Sequence, residues 1–168
     1  MKFSELREAF EAYTDIRGEV DDADLAIWFN EAQLDLTPDF GPVRTVVLTP
    51  VNGRADKPEG CLKVLGPCKE NERGQLVLDS ATEVDYIGMP TVQFTGTDAD
   101  QTPDLPNAVH YLLAIHAVAM YWARESEGDT EEMNLSNYWL TRYRVEKDRL
   151  KNVMGQPGSS NVDRWIIE

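Results

Sequence analysis

The chain has 168 residues, of which 42% are hydrophobic and 27% are charged, a composition that is typical of one globular domain and argues against disorder throughout. It carries 16 basic and 30 acidic residues, for a formal net charge of −14. Such a surface repels nucleic acid and anionic membranes, and this disfavours a DNA-gripping module.

Residues 1–41 are predicted to form two helices separated by a break that contains Gly18. Apolar residues recur at helical spacing in both, at Phe3, Leu6, Phe10 and Tyr13 and then at Leu25, Trp28, Phe29, Ala32 and Leu36. The second helix should end at Thr37-Pro38, because a residue that precedes proline is pushed out of the α region. This segment holds three basic and eleven acidic residues, a net charge of −8 and over half of the acidic excess.

Residues 42–104 are predicted to form a small, antiparallel β region. The strand-like runs are TVVLTPV, CLKVLGPCK, GQLVLD and PTVQFTG, and turn residues separate them. The stretch NGRADKPEG is predicted to be a loop between the first two runs. With six basic and ten acidic residues, the region has a net charge of −4.

Residues 105–154 are predicted to form a hairpin of two antiparallel helices. Asp104 and Pro106 should start the first helix, and Gly128 should end it. Asp129 and Glu132 then form an Asp-x-x-Glu capping pattern for the last helix. The apolar face of that last helix consists of Met133, Leu140, Tyr143, Leu150 and Met154.

The C-terminal half of the last helix is basic, with Arg142, Arg144, Lys147, Arg149 and Lys151. One interpretation is favourable charge near a helix C-terminus together with pairing to Glu146 and Asp148. The other is a contact with DNA or with an acidic neighbour, such as the N-terminal helices of an adjacent subunit. Residues 129–154 hold five basic and five acidic side chains, so their net charge of zero is no strong DNA patch.

The first helix of the hairpin is apolar nearly all the way round. From Ala108 to Ala123 only His110 and His116 interrupt the apolar run, which is shorter than the ~20 residues of a membrane span. A surface helix needs an apolar stripe of only ~100°, so this helix is predicted to be central, covered by the others, and in part to face another subunit. The candidates for subunit contact are Trp28, Val109, Leu113, Met120, Tyr121, Arg142 and Arg149.

Residues 155–168, GQPGSSNVDRWIIE, are predicted to be a flexible linker with an apolar tip. Trp165, Ile166 and Ile167 are the anchors with which such an arm would dock on a partner, by strand addition or by insertion into a pocket. The alternative is that the tip folds back on its own domain.

Little in the sequence indicates catalysis, so we expect no enzymatic activity, no metal and no cofactor. His110 and His116 are ~240° apart around a helix and cannot form a metal-binding pair. Cys61 and Cys68 lack Cys-x-x-Cys spacing, and because MKFSELREAF is no signal peptide they are expected to be reduced cytoplasmic thiols, with one hairpin disulfide as the alternative. Asp98 and Asp100 lie in a loop that lacks EF-hand spacing, so a solvated loop is favoured over a weak Ca²⁺ site.

The order of these patterns resembles a known family. Ile27 to Gln33 read IWFNEAQ in the second helix, PEGCLKV follows in the β region, Leu105-Pro106 opens an Ala- and Tyr-rich helix that ends in EGD, and NYWLxxY begins at Asn137. Over residues 1–154 this layout resembles the head-tail adaptor (connector) proteins of tailed bacteriophages. The β region departs from the family pattern in being longer than that of the smallest adaptors, which leaves open which layer of the neck the chain would form.

The resemblance implies an α+β, mainly helical fold. It would be a four-helix bundle in one domain, residues 1–154, with an antiparallel β insertion at 42–104 and a flexible C-terminal arm at 155–168. It also implies a structural virion protein of the neck, assembled in the host cytoplasm. The protein would form a homo-oligomeric ring, often a dodecamer, that docks on the portal protein, extends the DNA channel and receives the stopper or tail.

The same resemblance assigns Trp165, Ile166 and Ile167 to portal contact, and DNA would pass through the ring without specific binding. Three other interpretations stay open. The chain could be another neck layer, a stopper or tail-completion protein. It could be a small monomeric α+β domain that binds a ligand or acts as an enzyme, or an acidic, antitoxin-like partner of a basic protein.

Overall fold

A computed structural model describes residues 1–127 and 129–155, and within these ranges the chain is α+β and about half helical. The helices are α1 (Phe3–Thr14), α2 (Asp22–Phe40), α3 (His110–Glu125) and α4 (Thr130–Met154). The strands are β1 (Val43–Leu48), β2 (Arg54–Ala55), β3 (Cys61–Gly66), β4 (Lys69–Glu70), β5 (Leu76–Val77) and β6 (Thr82–Gly88). All strand pairs are antiparallel.

Helix α3 lies at the centre of the helical part and packs against α1, α2 and α4. Nine of its 16 residues are buried, which is more than an amphipathic stripe provides. The apolar run is therefore explained by neighbours within the same chain. Burying a Leu or Ile side chain stabilises a fold by about 1.5–3 kcal/mol, so the buried Leu112, Leu113 and Ile115 of α3 contribute strongly to the main core.

The apolar faces of α1 and α2 cover α3 as their spacing predicts. Phe3, Leu6 and Phe10 are buried on α1, and Phe29 is fully buried on α2. The Phe3 and Phe29 rings meet edge to face with centroids 5.6 Å apart, a geometry that adds to the stabilisation from burial. The break predicted between the two helices is confirmed at residues 15–21.

The predicted end of α2 at Thr37-Pro38 is wrong, because α2 continues to Phe40 with Pro38 inside it. Two interactions favour the extra turn. The Thr37 hydroxyl donates to the Gln33 carbonyl at 2.6 Å, and the Phe40 side chain is buried in the core. Gly41 then leads directly into β1, where a Cβ atom would lie 2.6 Å from the Thr37 carbonyl oxygen, so only glycine fits between α2 and the sheet.

The β region consists of two small sheets with strand orders β1-β6-β3 and β2-β5-β4. In the first sheet β1 and β6 are in continuous register, with Val46 opposite Val84. A second, smaller core lies in this region and is built on Leu76, Leu78 and Val84. The small antiparallel β region predicted for residues 42–104 is confirmed, and it has a hydrophobic core separate from that of the helices.

Two strand assignments in this region are wrong. The run TEVDYIG, which was not predicted as a strand, is β6 and forms the centre of the first sheet. The run PTVQFTG was predicted as a strand but pairs with none of the strands in the described residues. Its backbone bonds to side chains of α2 instead, since the Asn30 amide donates to the Phe94 carbonyl at 2.9 Å and accepts from the Phe94 N–H at 2.8 Å.

The helix hairpin of α3 and α4 is confirmed as antiparallel, because Tyr111 bonds to Glu146 near one end and the Ser136 hydroxyl donates to the Ala119 carbonyl near the other. Asp129 caps α4 by accepting from the Glu131 N–H at 2.7 Å. Helix α3 begins later than predicted. A short 3-10 turn, Asn107–Val109, precedes it, and the Asp104 carboxylate instead accepts from Thr91 at 2.7 Å.

Two predicted features lie outside the described residues. They are Gly128, which was predicted to end the helix that is now α3, and nearly all of the arm at 155–168, including Trp165, Ile166 and Ile167.

Gln33 generates a stability prediction, because its buried side chain links α2 to the segment after β6. Its amide donates to the Val92 carbonyl at 2.7 Å, and its carbonyl accepts from the Asp104 N–H at 3.0 Å. Gln33→Leu should lower the free energy of unfolding by about 2–4 kcal/mol, because it leaves two backbone groups without partners. Urea denaturation followed by circular dichroism measures this.

The matched control for that variant is Gln93→Ala, which removes an exposed glutamine side chain from the same segment. It should change the free energy of unfolding by less than about 0.5 kcal/mol. Equal losses in the two variants would contradict the role given to Gln33.

Candidate interaction surfaces

The two histidines do not meet, as their spacing predicts. His110 is fully buried; its Nε2 lies 2.7 Å from the Leu105 carbonyl oxygen and its Nδ1 lies 2.5 Å from the amino group of Met1. His116 faces α4, where its ring centroid is 5.3 Å from that of Tyr143. Burial lowers the pKa of both histidines, which favours their neutral forms.

The other residues considered for chemistry are the two cysteines and the carboxylates of the loop before α3. Cys61 and Cys68 are free and half-buried, and burial raises the pKa of the Cys61 thiol, which makes it less reactive. Asp100, one of the two loop carboxylates weighed as Ca²⁺ ligands, forms an ion pair with Lys2 at 2.7 Å. Among residues 1–127 and 129–155, no three His, Cys, Asp or Glu side chains form a group that could hold a metal ion.

In the part of the chain that the structure describes, no helix combines the length and the apolar character needed to cross a bilayer.

The basic half of α4 is used largely within the chain. Lys147 forms ion pairs with Asp35 at 2.8 Å and with Asp39 at 3.4 Å, and Lys151 pairs with Asp39 at 3.1 Å. These contacts join α4 to the C-terminal half of α2. One interpretation of the sequence had this basic segment contact the acidic N-terminal helices of an adjacent subunit. In the structure, two of its lysines contact α2 of their own chain.

The α2–α4 contact shifts two titrating groups. Burial by itself would raise the pKa of Asp35, but hydrogen bonds from Lys147 and Tyr143 outweigh it, and the pKa is lowered from its ordinary value. Burial and the hydrogen bond to Asp35 raise the pKa of Tyr143, whose hydroxyl donates to the carboxylate at 2.6 Å. The arrangement keeps Asp35 charged and Tyr143 protonated, which suits a structural contact rather than proton transfer.

The prediction of contact with another subunit is wrong for three residues. Val109 and Leu113 have no exposed surface, and Tyr121 is 7% exposed and packs edge to face on Phe10. They belong to the core because α1, α2 and α4 cover α3. Trp28 and Met120 are half-buried, and the guanidinium of Arg124 lies 5.0 Å from the Trp28 ring centroid.

Arg142 and Arg149 are exposed, and both lie on one continuous face of α4. The face repeats every third or fourth residue along the exposed side of α4. We call it the α4 stripe, and its members are Leu135, Tyr138, Arg142, Val145, Arg149 and Val153. The stripe is about 27 Å long at the α-helical rise. Tyr138 is 59% exposed and Val145 is 60% exposed, so large apolar groups face solvent along a face that also carries two arginines.

The composition of the α4 stripe is typical of a protein contact. Tyrosine and arginine are enriched at protein interfaces and among the residues that dominate binding energy. Arg142 is held in place by aromatic rings, since its guanidinium lies 4.9 Å from the Trp139 ring centroid and 5.6 Å from that of Tyr13. Sequence reasoning found the two arginines but missed Tyr138 and Val145, although their helical spacing from Arg142 was a usable signal.

A second exposed apolar surface lies on the outer face of α2. It is a cleft of about 290 Å³ between α2 and the chain after β6, and we call it the α2 groove. Ile27, Leu34 and Met89 line it and are 54%, 43% and 43% exposed. Glu31 lies among them with its side chain exposed. Nothing in the sequence singled out this surface, because Met89 joins it only through the fold.

Lys147 and Lys151 allow a matched comparison. Lys147→Met should lower the free energy of unfolding by about 1–3 kcal/mol, because its side chain is 16% exposed and its ammonium binds two carboxylates. Lys151→Met removes a more exposed side chain, 38%, and should cost about 0–1 kcal/mol. Urea denaturation of both variants measures the difference, and a costlier Lys151 variant would contradict this assignment.

The lowered pKa of Asp35 predicts that the stability of the fold depends on pH. Because its pKa is lowered from 3.8 in the folded chain, its contribution to stability is present above that pH and is lost as the pH falls through the folded-state value. Asp35→Asn should therefore lose less stability than the native chain as the pH falls below 3.8. Thermal unfolding across this range tests the sign, and a steeper loss in the variant would contradict it.

Comparisons with known proteins leave the family of this chain open. No protein-family model matches the chain, and a search of curated proteins found no match. The case for a function therefore stands on the sequence patterns and on the α4 stripe and the α2 groove.

Proposed function

We propose that this chain is a structural subunit of a bacteriophage neck, a head-tail adaptor. In this role it forms a ring that docks on the portal protein, extends the DNA channel and connects the head to the stopper or tail. The support is the order of elements, in which two helices, a small β region and a helix hairpin follow one another with the motifs of that family. The work of such a subunit is assembly, and it requires no covalent chemistry.

The observation that carries the proposal is the α4 stripe. A chain with a formal charge of −14 that leaves Tyr138, Val145 and Arg142 side by side on one face has a surface suited to a protein partner. The α2 groove is a second such surface on a different helix. A ring subunit needs contacts of this kind with its neighbours and with the layers above and below it.

The finer architecture belongs to the same proposal. The four helices would form the adaptor bundle around α3, and the β region at 42–104 would be its insertion. The acidic surface suits a conduit for DNA, because an excess of carboxylates repels phosphate and lets DNA pass without binding.

One observation is also compatible with the alternative, another neck layer such as a stopper or tail-completion protein. Strand β1 is at the edge of its sheet and exposes Val43 and Val47. An edge of this kind can accept a strand from a partner. A β-mediated contact between neck layers would suit a stopper as well as an adaptor.

The first experiment is the mass of the native chain by light scattering, alone and mixed with the portal ring of the same phage. A complex of ring size in either sample is the expected outcome, since many adaptors assemble only on the portal. A monomer in both samples would contradict the proposal and favour a self-contained domain with a small ligand.

Val145→Asp should abolish that complex or weaken it by at least about tenfold, because it places a carboxylate in the apolar part of the α4 stripe. The matched control is Val51→Asp, a valine that is also exposed but lies outside both surfaces. It should leave complex formation unchanged. Equal losses in the two variants would contradict the assignment of the α4 stripe as a contact.

The predicted arm has its own test, because Trp165, Ile166 and Ile167 are assigned to portal contact by the family resemblance. Deleting residues 159–168 should abolish binding to the portal ring, measured by co-elution in gel filtration. The matched control is Arg17→Ala, a substitution on the loop between α1 and α2. A deleted chain that still binds the portal would contradict the arm.

A further inference from the structure

We propose that the α4 stripe of one copy binds in the α2 groove of the next copy, head to tail, with Arg142 paired to Glu31. The inference rests on the proposed ring and names the contact that builds it. A second copy of this chain is the occupant to which both surfaces are assigned.

The first argument is the state of the groove. The Asn30 and Gln33 side chains at its inner edge bond to the backbone of residues 92–104 and are therefore committed within the chain. What remains open is apolar surface from Ile27, Leu34 and Met89 around the carboxylate of Glu31. The groove thus offers apolar area with one negative charge.

The second argument is the balance of charges on α2. This helix contains five acidic residues and no lysine or arginine. Four of the five have cation partners, since Asp22 pairs with Arg7, Asp24 with Arg124, Asp35 with Lys147, and Asp39 with Lys147 and Lys151. Within the described residues Glu31 has no ion-pair partner. It is the carboxylate of α2 that a neighbouring molecule can neutralise.

The third argument is the balance of charges on α4. Lys147, Lys151 and Arg149 each pair with a carboxylate, whereas in the described part of the chain Arg142 and Arg144 pair with none. Of these two arginines only Arg142 belongs to the α4 stripe, where its guanidinium contacts aromatic rings. Arg142 lies at the middle of the α4 stripe, between Tyr138 and Val145. The stripe thus offers apolar area with one available positive charge, which is the complement of the groove.

The fourth argument is symmetry. The stripe and the groove are on different helices, so a contact between them uses a different surface of each copy and repeats from copy to copy. Repeated head-to-tail contacts close into a ring when the rotation allows it. A two-fold contact between two stripes would bring Arg142 and Arg149 of both copies into one interface, and repulsion between like charges opposes that arrangement.

A cross-linking experiment tests the geometry with the full chain. Val145→Cys and Leu34→Cys are made separately, and the two proteins are oxidised alone and as a mixture at high concentration. The expected result is a disulfide-linked dimer in the mixture, little dimer in either protein alone, and a ladder of higher species from the double variant. The native chain, with Cys61 and Cys68, gives the background.

Two outcomes overturn the proposal. Dimer from Val145→Cys alone, in the amount seen in the mixture, would show a two-fold contact between stripes. A mixture with no dimer above the native background, both alone and in the presence of the portal ring, would overturn the contact between copies.

A charge exchange tests the ion pair. Arg142→Glu and Glu31→Arg should each weaken self-association by about tenfold or more in sedimentation equilibrium, because each places like charges together. The double variant Arg142→Glu with Glu31→Arg should recover to within a few-fold of the native chain. The control is Arg73→Glu, which makes the same charge change at an exposed position in the turn before β5, outside both surfaces.

The recovery distinguishes a direct pair from a loss of folding, and circular dichroism of each variant checks the fold. A double variant as weak as the single variants would overturn the pairing. Failure of the ring proposal has a different signature. If the variants cross-link but the chain does not bind the portal, the head-to-tail contact stands and the neck role fails. If the chain forms a ring on the portal but residues 34 and 145 do not cross-link, the neck role stands and the head-to-tail contact fails.

Discussion

The burial of most of α3 is the constraint on which the rest of the structure depends. Nine of its 16 residues are buried, so α1, α2 and α4 each turn an apolar face toward it. Their opposite faces are then necessarily outward. The α4 stripe and the α2 groove are the outward faces on which apolar groups remain, and for that reason they are the places where a partner gains most from contact.

Ion pairs within the chain decide which charges remain available to a partner. The acids of α2 attract cations from three other helices, namely Arg7 of α1, Arg124 of α3, and Lys147 and Lys151 of α4. The lysine pairs hold α2 against α4. In the described chain Glu31 is left as the carboxylate of α2 without an ion pair, and Arg142 is the arginine of the α4 stripe without one. Complementarity between copies can then depend on few residues.

Prediction from the sequence succeeded where one local cause dominates and failed where distant segments decide. Helical periodicity located all four helices, and Asp129 was recognised as a cap from its Asp-x-x-Glu pattern with Glu132, although in the structure it accepts from the Glu131 N–H. Strand β6 was missed because its alternation is irregular and its partners, β1 and β3, lie far along the chain. The run PTVQFTG has strand-like composition, but the amides of Asn30 and Gln33 bind its backbone in place of a strand.

By itself the sequence determined the α+β class, the order of helices and β region, the central position of α3 and the exposure of Arg142 and Arg149. These follow from periodicity, charge and capping, which act over one or two turns of chain. Only the tertiary structure decided that Val109, Leu113 and Tyr121 are internal, that Pro38 stays within α2, and that Met89 joins Ile27 and Leu34 in one groove. The physical reason is that burial and the pairing of distant charges depend on which elements pack together. The spacing of apolar residues identifies the buried face of a helix but does not identify the element that packs against it.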